Sequence, residues 1–170
     1  MLTIQTVKAG KHDFRPNSFC IGKNDTLRGT VMFWPSCRYE LDQGDQADWN
    51  KVCGLSYDIF SNFRDAQMLG WRYNPETDKI ELNHYCHIDR KRVMGPVLMA
   101  VNINQRVTFE LSTDRENRTI RLDLSAPNKD NVSSEYRYKS FGTLTRRLGS
   151  WFGGNRSAPH EMSFELHLYS

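Results

Sequence analysis

The sequence predicts an all-β protein, an antiparallel sandwich, and three observations predict it. Residues that would face a core recur at every second position: Ile80, Leu82, His84, Cys86 and Ile88; Val107, Phe109 and Leu111; Ile120, Leu122 and Leu124; Met162, Phe164, Leu166 and Leu168. That is the period of a strand with one face on a core. Polar, turn-forming stretches separate these segments at hairpin distances. Only residues 143–150, where Leu144 and Leu148 stand four apart, have helical spacing, so at most one short helix of about two turns is expected.

Taken in order, residues 2–7 alternate and make a first strand at a sheet edge. Residues 8–17 are a polar loop broken by Gly10 and Pro16, and 18–21 is a short apolar segment. A turn at 22–25 leads into a strong strand over 26–34, which Pro35 ends. Residues 36–41 read as a further short strand, 42–48 as a carboxylate-rich loop, and 49–54 as the return to the core. Strand composition resumes over 55–60, and 61–67 is a polar connection. A hairpin then joins 68–73 to 80–88 through 74–79, where Pro75 fixes one turn dihedral. After the basic turn at 89–92 come a strand over 93–101 interrupted by Gly95-Pro96, strands over 106–112 and 118–125, and a polar loop at 126–134. Residues 135–141 are a strand or an extended cover. The chain closes with a glycine-bearing loop at 151–160 and a regular strand over 161–169, expected to pair beside the first.

At 170 residues the chain fits a single domain, 1–170, able to close a core without disulfides. Its 23 basic and 20 acidic side chains are spread evenly, which argues against a nucleic-acid partner, since that would call for a clustered basic stripe. The small basic groups at 90–92, at Arg137 with Lys139, and at Arg146-Arg147 are expected as solvated turns. The start has no signal-peptide core and no apolar run is long enough for membrane insertion. A chain made in the cytoplasm is therefore expected, with Cys20, Cys37, Cys53 and Cys86 as free thiols.

Three motifs carry a resemblance: Asp48-Trp49-Asn50-Lys51, Trp71-Arg72-Tyr73-Asn74-Pro75, and Trp151-Phe152-Gly153-Gly154-Asn155 followed by Ala158-Pro159-His160. With the order of alternating strands they resemble the concanavalin/laminin-G type of jelly roll, and more narrowly uncharacterised bacterial and bacteriophage proteins of that shape. The resemblance implies a jelly-roll β-sandwich and, loosely, binding of sugars or surfaces. It carries no catalytic residues onto this chain.

The residues offer little catalytic chemistry of their own. His84 and Cys86 share one strand face while His87 takes the other, so the three do not converge on a metal. No cofactor and no metal ligands are assigned. Calcium is the ion that the loop carrying Asp42, Asp45 and Asp48 would hold, although its spacing lacks the EF-hand pattern. No nucleophile motif is present, so no catalytic residue is named.

Recognition is suggested instead by aromatic and polar residues together: Asn83, Tyr85 and His87 on one strand, Arg121 and Asp123 on another, with Trp71 and Tyr73 nearby. Rings stack on sugar faces while such polar groups bond hydroxyls. A face covered by loops, with these rings as packing residues, is the alternative. The expected function is a non-catalytic binding or assembly module: a carbohydrate-binding or surface-docking jelly roll, in the narrower form a phage particle component. Its partners would be a glycan or a protein surface, or copies of itself in an oligomer or virion. A glycan-cleaving enzyme on the same fold and a small inhibitor docking on a protein partner are the other readings left open.

Overall fold

A computed structural model describes residues 2–16, 20–61, 64–139 and 141–169. Residue 17 of the expected 8–17 loop and residues 18 and 19 of the 18–21 segment lie outside them, as do 62 and 63 of the 61–67 connection and 140 of the 135–141 segment. The described strands are β1 (Leu2–Val7), β2 (Cys20–Gly22), β3 (Thr26–Phe33), β4 (Asn50–Ser56), β5 (Ala66–Asn74), β6 (Lys79–Ile88), β7 (Lys91–Met94), β8 (Met99–Asn102), β9 (Arg106–Asp114), β10 (Thr119–Ser125), β11 (Val132–Arg137), β12 (Thr145–Leu148) and β13 (Met162–Leu168). One short helix, α1 (Gln43–Gln46), and a 3-10 turn at Pro35–Cys37 complete the elements.

The strands form two antiparallel sheets. Sheet I runs β1-β13-β3-β9-β10-β11, and sheet II runs β2-β12-β4-β5-β6-β7 with β8 beside the first half of β6. This is the antiparallel sandwich that the alternation predicts, in the jelly-roll form that the resemblance implies. The last strand lies between β1 and β3, beside the first.

Between the sheets, Val31, Phe33, Val107, Phe109, Leu111, Ile120, Leu122 and Phe164 meet Leu69, Trp71, Ile80 and Leu82, all buried. The Trp71 ring lies 5.0 Å from Phe33 and 6.2 Å from Phe164, and Tyr39 meets it edge-on at 6.1 Å. Such tilted and edge-on pairs add directional attraction to burial. Apolar packing is not the whole interior. The Gln67 amide bonds the Tyr57 hydroxyl and the Ser112 carbonyl, its carbonyl meets His84 Nε2 at 3.2 Å, and His84 Nδ1 meets Ser134 at 3.4 Å. Burial pushes the His84 pKa down to about 4, so this core-side histidine is neutral near pH 7.

Five segments differ from expectation. Residues 55–60 are not a strand of their own, since β4 ends at Ser56 and 57–60 bend away, and the loop at 42–48 winds into α1 over Gln43–Gln46. Residues 36–41 make no strand: Pro35 opens a 3-10 turn there instead, and the Tyr39 hydroxyl accepts a hydrogen bond from Asn50 Nδ2 at 2.9 Å. Residues 143–150 are no helix. They carry β12, an inner strand of sheet II, which takes Arg146 and Arg147 out of the expected turn. The polar loop at 126–134 ends early, because β11 already begins at Val132.

Among the described residues no helix is long and apolar enough to cross a membrane. The four thiols are free, Cys20 exposed and the others buried; burial pushes Cys37 and Cys53 up to about 12, which makes both poor nucleophiles.

Candidate functional site

Register decides which side chains share a face. Across β5 and β6, Arg72 stands opposite Glu81, Gly70 opposite Asn83, Met68 opposite Tyr85 and Ala66 opposite His87. Their neighbours along each strand, including Trp71, Leu82, Leu69 and His84, point into the sandwich. Asn83, Tyr85 and His87 therefore lie on the outward face of sheet II. On β4, Lys51 stands opposite Gly70, and a bulge follows between Lys51 and Cys53. Bulges of this kind re-aim side chains and are common beside functional sites.

This outward face is unlike that of sheet I. Exposed and buried positions alternate along β10, whereas every residue of β6 from Ile80 to His87 is buried. Trp49, Ala66, Met68, Tyr85 and Leu148 form a second, smaller apolar cluster here. Among these side chains stands Asn83, fully buried, with neither its amide nitrogen nor its amide oxygen hydrogen-bonded. Leaving such a group unpaired costs about 1–3 kcal/mol. The amide reaches over Gly70, where a Cβ would collide with Asn83 Oδ1, so glycine at 70 is what makes room for it.

Lys51 borders the same floor. Its Nζ lies 4.4 Å from the centre of the Tyr85 ring and donates to the Trp49 carbonyl at 2.7 Å. Burial lowers its pKa to about 8; Asp48 opposes the shift and Arg92 assists it. Burial also raises the Tyr85 pKa, with Arg92 opposing, so the phenol keeps its proton. His87 Nε2 sits 3.4 Å from the Tyr85 hydroxyl. Farther along, both oxygens of Glu81 are occupied, by Arg72 Nε and Asn74 Nδ2, each at 2.7 Å, and the Arg72 guanidinium lies 4.5 Å over Trp49. The face thus holds an amine whose pKa is lowered to about 8, a protonated phenol and an unsatisfied amide.

Of the seven residues the sequence singles out, Asn83, Tyr85 and His87 come together on this face and the other four do not. Trp71 is a fully buried interior residue, and Tyr73 is buried on the inward side, its hydroxyl donating to Asp78 at 3.0 Å. Both face away from Asn83 because consecutive strand residues alternate sides. Arg121 and Asp123 lie on the outward face of sheet I, paired with each other at 2.8 Å, so the whole sandwich separates them from Tyr85. In the calcium-like loop, Asp45 and Asp42 are turned to Arg156, at 2.8 and 3.4 Å. Lys51 and Arg72 escaped sequence reading, although both stand in motifs that carry the resemblance; what sequence lacks is the register that puts Lys51 beside Gly70.

No family model matches the chain, and no curated protein matches it. Solved structures do. A functionally unknown protein from Saccharomyces cerevisiae matches with TM-score 0.55 and 10% identity over 91% of this chain and 70% of that one. The alginate lyase from Klebsiella pneumoniae matches with TM-score 0.56 and 9% identity over 85% of this chain and 58% of that one, so this chain spans less than two thirds of that enzyme. A PL-14 alginate lyase from Aplysia kurodai matches with TM-score 0.55 and 12% identity over 99% and 82%. At these identities the likeness shows the fold. The expectation of a non-catalytic module does not stand against it, because two of these three structures are enzymes and the fold is no argument against catalysis. None of the three bears on a phage particle role.

Proposed function

We propose that this protein cleaves an acidic polysaccharide by β-elimination on the outward face of sheet II. The observation that carries this reading is the buried, unpaired Asn83 amide beside Lys51 and Tyr85, whose N–H donors would pair with a substrate carboxylate. Asn83 donates to the carboxylate of a uronate residue and stabilises charge as it develops there. The Lys51 amine, lowered to about 8, takes the proton at C5. That electron pair forms the C4–C5 double bond, the C4–O bond of the linkage breaks, and the Tyr85 phenol protonates the departing oxygen. The proton then passes from the Lys51 ammonium to the Tyr85 phenolate, and no water is consumed. Hydrolysis by two carboxylates fits less well, since Glu81 has both oxygens engaged. Two alginate lyases of the same fold support the substrate class.

Incubation with alginate, polygalacturonate and a glycosaminoglycan, followed by ultraviolet absorbance of the new double bond, tests the reading. Wild type should generate the signal on one of them, faster as pH rises through about 8, and Lys51→Ala and Tyr85→Phe should lose it. New reducing ends without the double bond, or no cleavage of any acidic polymer, would sink it.

A further inference from the structure

Trp151 extends the same row of side chains. Lys51 and Trp151 are antiparallel partners that exchange both backbone hydrogen bonds, at 2.8 and 2.9 Å, so their side chains share a face. Trp151, Lys51, Gly70 and Asn83 thus lie in line across neighbouring segments, spanning about 14 Å at the usual strand spacing. That is the reach of a short oligosaccharide and exceeds one sugar ring.

Trp151 differs from its aromatic neighbours in being open. It is 45% exposed, against 7% for Trp49 and 6% for Tyr85. Its indole is nevertheless held: His12 stacks on one side at 5.1 Å and 11° between planes. His12 is fixed in turn by Nδ1 donating to the Phe152 carbonyl at 2.9 Å, while the Phe152 amide donates back to the His12 carbonyl at 2.7 Å. A rigid indole braced on one face and in line with an unsatisfied polar floor has the form of a stacking platform, which gains contact area at low entropic cost.

We infer that Trp151 is a sugar-stacking subsite, which receives the ring of a polysaccharide unit next to the one held over Asn83. This rests on the elimination reading for its substrate class. It makes the protein a binder of extended chains, with the affinity for length residing at Trp151.

The test compares wild type, Trp151→Ala and Trp151→Phe on size-fractionated oligomers of whichever acidic polymer is cleaved. Trp151→Ala should raise KM for long chains about tenfold, leave kcat within about twofold and leave the shortest cleaved oligomer unaffected. Trp151→Phe should restore most of the difference. An equal KM for wild type and Trp151→Ala at every length overturns the inference while leaving the elimination reading intact. If no acidic polymer is cleaved, the elimination reading falls. Tryptophan fluorescence titration with the same polymers then decides for Trp151 alone: a signal lost in Trp151→Phe upholds the platform, and no signal in wild type removes it.

Discussion

Lys51 shows how a single residue can be costly to the fold and useful to the site. Its ammonium is held in a buried setting that lowers its pKa from 10.5 to about 8. Below about pH 8 the folded and unfolded chains are both charged and the folded chain bears the full desolvation cost; above 10.5 both are neutral and the cost is gone. Stability should therefore rise with pH between these values. Lys51→Met should remove that rise and stabilise the protein below pH 8 by up to about 3 kcal/mol, while abolishing elimination. Urea titrations at pH 7 and 10 measure it. A variant less stable than wild type at pH 7 would show that the ammonium is a structural anchor. Gly70 is the complementary case. Gly70→Ala puts a methyl group where the Asn83 amide lies, which should cost about 1–3 kcal/mol and reduce kcat with the fold retained, as read by circular dichroism and turnover together.

At the scale of elements, legibility followed period and failed where period is shared. Residues 80–88, 106–112, 118–125 and 161–169 were readable because a strict two-residue alternation has no helical counterpart. Residues 143–150 misled because Leu144 and Leu148, four apart, share a face in a helix and in a strand alike; pairing with β2 and β4 settles the matter as strand. Residues 36–41 alternate as well, with Cys37 and Tyr39 buried, yet no neighbouring strand takes up their backbone and Pro35 sets a turn. The candidate site was half legible for a related reason. Alternation along β6 placed Asn83, Tyr85 and His87 on one face. It could not say that β4 brings Lys51 and Trp151 into their row, because register between strands distant in sequence is set by packing. The same rule removes Trp71, one residue from Gly70, to the interior.

For the whole molecule, the two sheets are joined by an apolar core and by a polar network, Tyr57, Thr113, Gln67, His84 and Ser134, that crosses between them. A buried network is stabilising only while every member keeps its partner, and His84 is the member that titrates most readily. Its folded pKa of about 4 lies below its ordinary 6.5. Between these values the unfolded chain holds a proton that the folded chain does not, so stability falls as pH drops from about 6.5 to 4 and levels off below. The loss should amount to about 3 kcal/mol, and it should be shared by the whole sandwich, since the network ties sheet to sheet. His84→Gln, which keeps a donor and an acceptor but cannot titrate, should be somewhat less stable at pH 7 and should lose less on acidification through this window. Denaturant midpoints at pH 7, 5.5 and 4 provide the comparison. An acid limb of the same steepness in His84→Gln would move the cause to surface carboxylates such as Asp78 and Asp89, whose pKa values are lowered by Arg38 and Lys139. Those ion pairs are exposed and each is worth little, so a limb carried by them would be shallow and would weaken with salt, whereas the His84 contribution would persist in high salt.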